Sequence, residues 1–236
     1  MSNLEQIHLS QRLATVAQHI QQGDRIADIG SDHAYLPIAL VQSGRIPAAV
    51  AGEVVPGPFH LAEEHVAQYG LAAQIKVRLA DGLAAIKPAD RITAVTIAGM
   101  GGTLIHDILE AGYQQHLRGT ERLILQPNVG ENRVREWLLA HQYAITAEEI
   151  LEEDQHIYEV IAAAPSAAPV HYDEADLYFG PFLRQHPHNS VFQAKWQDRL
   201  QREQRVLREL QKAQEVPTAK AAQHQHLVAM IEEVVE

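Results

Sequence analysis

Arg25-Ile26-Ala27-Asp28-Ile29-Gly30-Ser31-Asp32-His33-Ala34-Tyr35-Leu36-Pro37 decides the fold: a short apolar run, an acid, a glycine turn and the opening of a helix. Strand, tight turn and helix in that order begin a βαβ unit. Further along, residues 48–53, 75–79, 92–98 and 122–126 are short apolar or β-branched runs of the same kind. Segments 59–69 and 103–111 lie between them, and Leu104, Ile105, Ile108 and Leu109 recur at three and four, as a crossover helix requires. Five strands alternating with helices predict a doubly wound, mostly parallel sheet. Residues 131–141 read as a helix, and 144–150 and 157–163 as two strands joined through Glu152-Glu153-Asp154. That hairpin places an antiparallel strand in the sheet and brings the total to seven.

Pro165-Ser166-Ala167-Ala168-Pro169 breaks the pattern, and composition then shifts toward glutamine, arginine and histidine. The reading is a catalytic domain over 1–165 and a helical domain over 170–236. In the latter, Phe192, Trp196, Leu200, Leu207 and Leu210 recur at helical spacing, Pro217 interrupts, and Leu227, Met230, Ile231 and Val234 resume. A helical hairpin is predicted.

Bulk properties exclude several classes. The 236 residues contain no run of eighteen apolar residues and no basic-apolar leader, so a cytoplasmic protein with no membrane role is expected. Cysteine is absent, which removes disulfides, thiolate-bound zinc and cysteine nucleophiles. The 14 histidines are scattered, with His224-Gln225-His226 as the close pair, so no metal site is expected. A net charge of −11 argues against a surface coated with phosphate-binding lysines, leaving nucleic-acid binding to the distribution of charge.

Ligand-type features fall at the ends of five successive strands. Gly30 lets a ligand approach the backbone, but Asp32 and the bulk of His33-Ala34-Tyr35 stand where a dinucleotide fingerprint needs glycine, and they oppose a pyrophosphate. Asp28 just before the turn suits a ligand with an ammonium group, such as the amino-acid end of S-adenosylmethionine. Gly52-Glu53 offers a carboxylate for ribose hydroxyls, and Asp81-Gly82-Leu83 an acceptor for an adenine amino group. Ala98-Gly99-Met100-Gly101-Gly102 gives close backbone approach, and Gln126-Pro127-Asn128 two amides able to read a flat heterocycle. Each feature alone is equally a turn, a cap or a solvated loop residue. Their agreement at one rim points to a shared site.

These strings resemble the bacterial tRNA (adenine-N1)-methyltransferases of the TrmK family, which modify adenine 22 of tRNA. The resemblance runs through Ser10-Gln11-Arg12-Leu13, the 28–37 stretch, Gly52-Glu53-Val54-Val55-Pro56-Gly57-Pro58, Asp81-Gly82-Leu83, 97–102, Leu125-Gln126-Pro127-Asn128, Glu152-Glu153-Asp154 with Tyr158-Glu159, and Phe179-Gly180-Pro181. It implies a Rossmann-like class I methyltransferase fold followed by a helical coiled-coil domain, with S-adenosylmethionine as cofactor and tRNA as partner. Expected cofactor contacts are Asp28, Gly30, Ser31, His33 and Tyr35 at the methionine end, Glu53 at the ribose, and Asp81, Gly82 and Leu83 at the adenine. Ala98, Gly99 and Met100 line the cofactor and, with Gly101, Gln126 and Asn128, frame the target base. Asp32 or Asn128 stabilises the charge that develops on it. Arg12 is expected at a phosphate near the cleft.

Lys195, Arg199, Arg202, Arg205, Arg208 and Lys212 recur every three or four residues, partly offset by Asp198, Glu203 and Glu209. From composition this is a solvated, ion-paired face. The resemblance makes Arg199, Arg202 and Arg205 a grip for tRNA. Rival functions are methylation of another RNA site or a small molecule, and a non-catalytic helical adaptor. A monomer or weak dimer is expected.

Overall fold

The computed structural model describes residues 7–211 and 218–235. The strands are β1 (Arg25–Ile29), β2 (Ala48–Glu53), β3 (Ile75–Leu79), β4 (Ala94–Met100), β5 (Arg122–Pro127), β6 (Tyr143–Glu153) and β7 (His156–Pro165). They form one seven-stranded sheet in the order β3-β2-β1-β4-β5-β7-β6. The pairs β1·β2, β1·β4, β2·β3 and β4·β5 are parallel, and β5·β7 is antiparallel. Strand β1 lies between β2 and β4, so the chain reverses its direction of winding there. At that switch point a crevice opens beyond the carboxyl ends of the strands.

The helices are α1 (Gln11–Gln18), α2 (Tyr35–Gln42), α3 (Pro56–Gln68), α4 (Gly102–His116), α5 (Glu131–Ala140), α6 (Glu174–Phe179), α7 (Ser190–Gln211) and α8 (Thr218–Val235). Local chemistry starts several of them. Ser10 Oγ accepts from Leu13 N at 3.2 Å at the head of α1, and Pro56 occupies the first position of α3, where its missing N–H costs nothing. Asn189 Oδ1 accepts from Val191 N and Phe192 N ahead of α7. Short 3-10 turns at Gly82–Ala85, Pro88–Asp90 and Leu183–Gln185 were not expected from periodicity, nor were α1 and α6.

The strands β1, β2 and β5 are buried along almost their whole length, as parallel strands covered on both faces must be. This is why they read as unbroken apolar runs. The final hairpin is longer than its sequence suggests. Glu152 and Glu153 continue β6, and the turn falls at Asp154 and Gln155, whose φ angles of 51° and 64° match a two-residue hairpin turn with both centres left-handed.

Two compact units are distinguished. One is Met1–Glu149 with Tyr158–His171, the other Ile150–Ile157 with Tyr172–Glu236. The second unit has its own core of Phe179, Leu183, Phe192, Trp196 and Ile231, against which Ile150, Leu200, Leu227, Met230 and Val234 pack. The helices α7 and α8 thus form a hairpin along the predicted apolar stripe. Pro217 and Lys212 lie outside the described residues.

The first unit buries a charged triad that the sequence did not reveal. Arg135 on α5 is fully enclosed, with Nε donating to Glu148 Oε1 at 2.7 Å and Nη2 to Glu159 Oε2 at 2.5 Å. Both carboxylates are equally enclosed, with side-chain exposures of 0%. Burial alone pulls the guanidinium pKa down, but the charges and hydrogen bonds of Glu159 and Glu148 prevail and hold it above its ordinary value.

Candidate active site

A cavity of about 430 Å³ opens at the carboxyl ends of β1, β2 and β4. Its wall includes Arg12, Asp28, Gly30, Ser31, Asp32, Tyr35, Glu53, Asp81, Gly82, Ala98, Gly99 and Met100. Twelve sequence-predicted residues from five separate stretches therefore meet in one place.

The β1 turn is held in a strained shape. Gly30, Asp32 and Ala34 have φ of 70°, 51° and 57°, and a left-handed non-glycine residue costs about 1–3 kcal/mol. The turn is tied to β2 by Gly30 N and Ser31 N, which both donate to Gly52 O, at 2.9 and 3.1 Å. Glycine is required at 30 for a second reason. A Cβ there would lie 2.0 Å from Met100 Cε, so the Met100 side chain lies across this position.

Beneath the turn, the buried Asp28 carboxylate accepts from Ser31 Oγ at 2.5 Å and from Thr96 Oγ1 at 2.6 Å. Burial pushes its pKa up, while those two hydrogen bonds and Arg12 pull it down and Glu53 adds repulsion; the net direction is upward. A cationic ligand group beside this carboxylate would offset its burial and favour the ionised form. Thr96 escaped the sequence reading because a threonine inside a buried strand looks like any β-branched residue.

Glu53 is also buried. Oε1 accepts from Val54 N and Val55 N, at 2.8 and 3.0 Å, and Oε2 accepts from Asp32 N at 3.3 Å. Backbone amides thus hold both oxygens of a carboxylate that lines the cavity. Asp81 is exposed on the wall, and Gly82 has φ 48°. Leu83 departs from expectation. It is 1% exposed and packs on Gly112, lining an adjoining pocket with Asp81, Gly82, Leu104 and Ile108 in place of the main cavity.

The β4 and β5 tips are laced together. The register of their pairing shifts between Ala98 and Met100, leaving Gly99 as a bulge with φ 79°. Gln126 Oε1 accepts from Gly99 N at 2.9 Å and from Arg12 Nη1 at 2.6 Å, and Gln126 Nε2 donates to Pro127 O and Asn128 Oδ1. Asn128 Nδ2 donates to Gly99 O at 2.9 Å. Gln126 is 0% exposed with both donors and both acceptor sites engaged, so the expectation that it reads the target base is corrected: the amide braces the wall. Asn128 is exposed beside the tip of β5, outside the wall of the cavity. Gly101 caps α4, also outside that wall, and has nothing within 4 Å of its Cβ position.

His33 is likewise outside the wall. Its ring stacks on Tyr35 at 5.3 Å and meets His65 at 5.4 Å, and His65 Nδ1 approaches His33 O at 3.2 Å. The expectation that His33 contacts the cofactor gives way to a role in backing Tyr35, which does face the cavity. Leu13, Leu36, Val54, Leu104 and Ile108 also line the wall; as ordinary apolar residues they carried no sign of a binding role.

On the second unit, the arginines of α7 are exposed. Arg199 pairs with Glu203 and Arg202 with Asp198, each at 2.7 Å. The histidine pair is used in contacts of this unit, His224 with Glu203 and His226 with Glu174. Among the described residues no group of three or more histidines or acids could hold a metal ion, and no helix is long and apolar enough to cross a membrane.

The reversal of strand order at β1, the antiparallel seventh strand and an acid-and-glycine cradle at the strand tips define a Rossmann-like methyltransferase. The model of the tRNA (adenine(22)-N(1))-methyltransferase family, TrmK, matches residues 26–233. A Bacillus subtilis tRNA (adenine(22)-N(1))-methyltransferase is 45% identical over 214 residues, covering 89% of each chain. The crystal structure of the B. subtilis M1A22 tRNA methyltransferase TrmK superposes with a TM-score of 0.92 at 42% identity, over 98% of this chain and 100% of that one. A Streptococcus pneumoniae structure described as a putative tRNA (m1A22) methyltransferase in complex with S-adenosyl-L-methionine gives 0.87 at 41% identity, over 97% and 100%. The chain belongs to the TrmK family.

Proposed function

We propose that this enzyme methylates N1 of adenine 22 in tRNA, using S-adenosylmethionine. The observation that carries the reading is the cavity in which buried Asp28, buried Glu53 and exposed Asp81 line up along the strand tips, with family membership supplying the reaction. The donor set fits the cofactor's three parts. Asp28 and the Gly30 turn serve the amino-acid end, Glu53 Oε2 serves the ribose hydroxyls, and Asp81 with Gly82 serves the adenine edge.

When bound, the cofactor supplies an electrophilic methyl carbon on a sulfonium. What the protein must do is position. Adenine N1 carries an in-plane lone pair without prior deprotonation, so orientation and exclusion of water carry most of the acceleration and no general base is required. Ala98 and Gly101 let the base approach the backbone, and Asn128 reads its edge from the tip of β5. Methylation leaves the ring cationic. Asp32, whose side chain is 66% exposed, places a carboxylate where that charge develops. Tyr35 is 41% exposed and offers a ring face to an unstacked base.

The sheet-bearing unit then acts as the catalytic domain, and the α7–α8 hairpin meets the tRNA through Arg199, Arg202 and Arg205. The enzyme works in the cytoplasm as a monomer or weak dimer. The test is incubation of the full chain with methyl-labelled cofactor and unmodified tRNA, followed by mapping of the modified base. Label at N1 of adenine 22 is the expected result. Label elsewhere, or on metabolites alone, refutes the substrate, and no transfer refutes the reaction.

A further inference from the structure

We propose that the amino-terminal ends of β1, β2 and β3 form a second ligand site, which takes the phosphate group of a small, free phosphate monoester and is separate from the methyl-transfer cavity. A recess of about 260 Å³ opens there, and its lining includes Arg25, Ala48, Ala73, Lys76, Asp90 and Ile92. Arg25 and Ala48 begin their strands, whereas the cofactor cavity takes Ile29 and Glu53 from the last positions of the same two strands. Strand β1 is five residues long, so the two openings lie about 16 Å apart along it, at about 3.3 Å per residue.

Charge decides what the recess attracts. Among the described residues its charged lining is Arg25, Lys76 and Asp90. Asp90 is buried and already satisfied, for it accepts from Arg78 Nη1 and Nη2 at 2.5 and 2.8 Å and from Lys87 N at 2.8 Å. The Arg78 hydrogen bonds foremost hold its carboxyl below its ordinary value against the effect of burial, so the acid is ionised and Arg78 matches its charge. Arg25 and Lys76 are then in surplus. Lys76 Nζ stands 3.7 Å from Asp90 Oδ1, beyond hydrogen-bond length. Asp24, next to Arg25 in the chain, is engaged by Arg122, Thr93 Oγ1 and Gln21 N. On a chain of net charge −11, two cations in surplus at one recess make a local attractor for an anion.

The arginine is oriented as well as charged. Its Nε donates to Asp90 O at 2.6 Å, which fixes the guanidinium plane, and among the described residues no protein acceptor takes its Nη groups. A fixed fork with donors to spare, beside a lysine point charge, is the donor set of a phosphate. A monoester, close to doubly charged at neutral pH, matches two cations where a carboxylate or a backbone phosphodiester matches one. The recess is smaller than the range of about 300–1,000 Å³ that holds drug-sized ligands, and Ala48, Ala49 and Ile92 line it beside the charges. It therefore suits a phosphate on a short carbon body, such as a sugar phosphate.

Calorimetric titration of the full chain with ribose 5-phosphate, ribose and S-adenosylhomocysteine tests the site. Ribose 5-phosphate is expected to bind and ribose not, and saturating S-adenosylhomocysteine should leave the phosphate affinity unchanged. The Lys76 side chain is 58% exposed, so its replacement spares the fold. Lys76→Gln should weaken ribose 5-phosphate about ten- to a hundredfold, the loss of a charge-assisted hydrogen bond, with S-adenosylhomocysteine affinity unaltered. Lys76→Arg should keep most of the affinity, and Arg25→Gln should lose as much as Lys76→Gln. Wild type that binds no ribose 5-phosphate, equal binding of ribose, or unchanged affinity in Lys76→Gln overturns the proposal. Displacement of ribose 5-phosphate by S-adenosylhomocysteine also overturns it, by placing the anion in the cofactor cavity. So does a Lys76→Gln variant that binds tRNA more weakly, with a salt slope reduced by about one, when the wild type ignores ribose 5-phosphate; the occupant is then an RNA phosphate. Wild type that binds ribose 5-phosphate but not S-adenosylhomocysteine refutes the methyltransferase reading and leaves this site standing.

Discussion

Replacing Arg135 with methionine tests the energetics of the buried triad. The guanidinium and both partner carboxylates are fully enclosed, so the variant would trap Glu148 and Glu159 without a cation. Breaking a buried pair in this way costs about 3–5 kcal/mol. For a chain of this length that corresponds to a fall in Tm of about 6–20 °C. The penalty must also depend on pH. Burial and mutual repulsion would raise both carboxylate pKa values in the folded variant above their ordinary value of about 4.3. Between the ordinary and the raised value, the unfolded chain gives up protons that the folded chain keeps. Stability therefore falls as pH rises through that window, by up to about 1.4 kcal/mol per pH unit for each carboxylate. The wild type has no such term from the arginine, whose pKa is held above its ordinary value. Thermal melts followed by circular dichroism at pH 5 and pH 8 should show a gap between wild type and variant that widens at the higher pH. Adding Glu148→Gln and Glu159→Gln should flatten it. A loss under about 2 °C, or an equal loss at both pH values, would refute the reasoning.

Gly30→Ala combines a φ of 70° with a methyl 2.0 Å from Met100 Cε. It should cost about 1–2 kcal/mol of stability and, by pushing Met100 into the cavity, weaken S-adenosylhomocysteine at least about tenfold; full affinity in calorimetry would contradict the close packing. Asp81→Ala should lower cofactor affinity in the same assay, and an unchanged value removes Asp81 from the adenine subsite. The triple change of Arg199, Arg202 and Arg205 to alanine should weaken tRNA binding and reduce the slope of log K against log salt by up to about 3, measured by filter binding across salt. Unaltered affinity and slope would leave Arg199 and Arg202 as members of the in-helix pairs with Glu203 and Asp198, whose loss costs only about 0.3–0.5 kcal/mol each.

The central five strands were legible because a parallel sheet covered on both faces writes itself as continuous apolar runs, and the acids and glycines at their ends mark the rim. What stayed hidden depended on partners far apart in the chain. Gln126 has the chemistry of a base reader, and only its bond to Arg12, 114 residues away, shows that its amide is already used. Arg135 sits in a helix whose sequence suggests a solvated face, and its enclosure by two strands leaves no periodic mark. His33 stands inside the motif itself, yet its ring stacks sideways on Tyr35 and His65. The short helix α1 was missed because it buries only Thr15 and Val16, too few apolar positions to declare a period.

The assignment of Ile150–Ile157 to the same unit as Tyr172–Glu236 has a bearing on how such a protein can change over time. A body drawn from two separated stretches of sequence cannot be deleted, swapped or acquired by a single recombination event at one junction. Any exchange of the helical part must bring its own hairpin tip or leave Ile150 without the apolar neighbours it now has. The helical part and its hairpin tip would therefore have to be exchanged together.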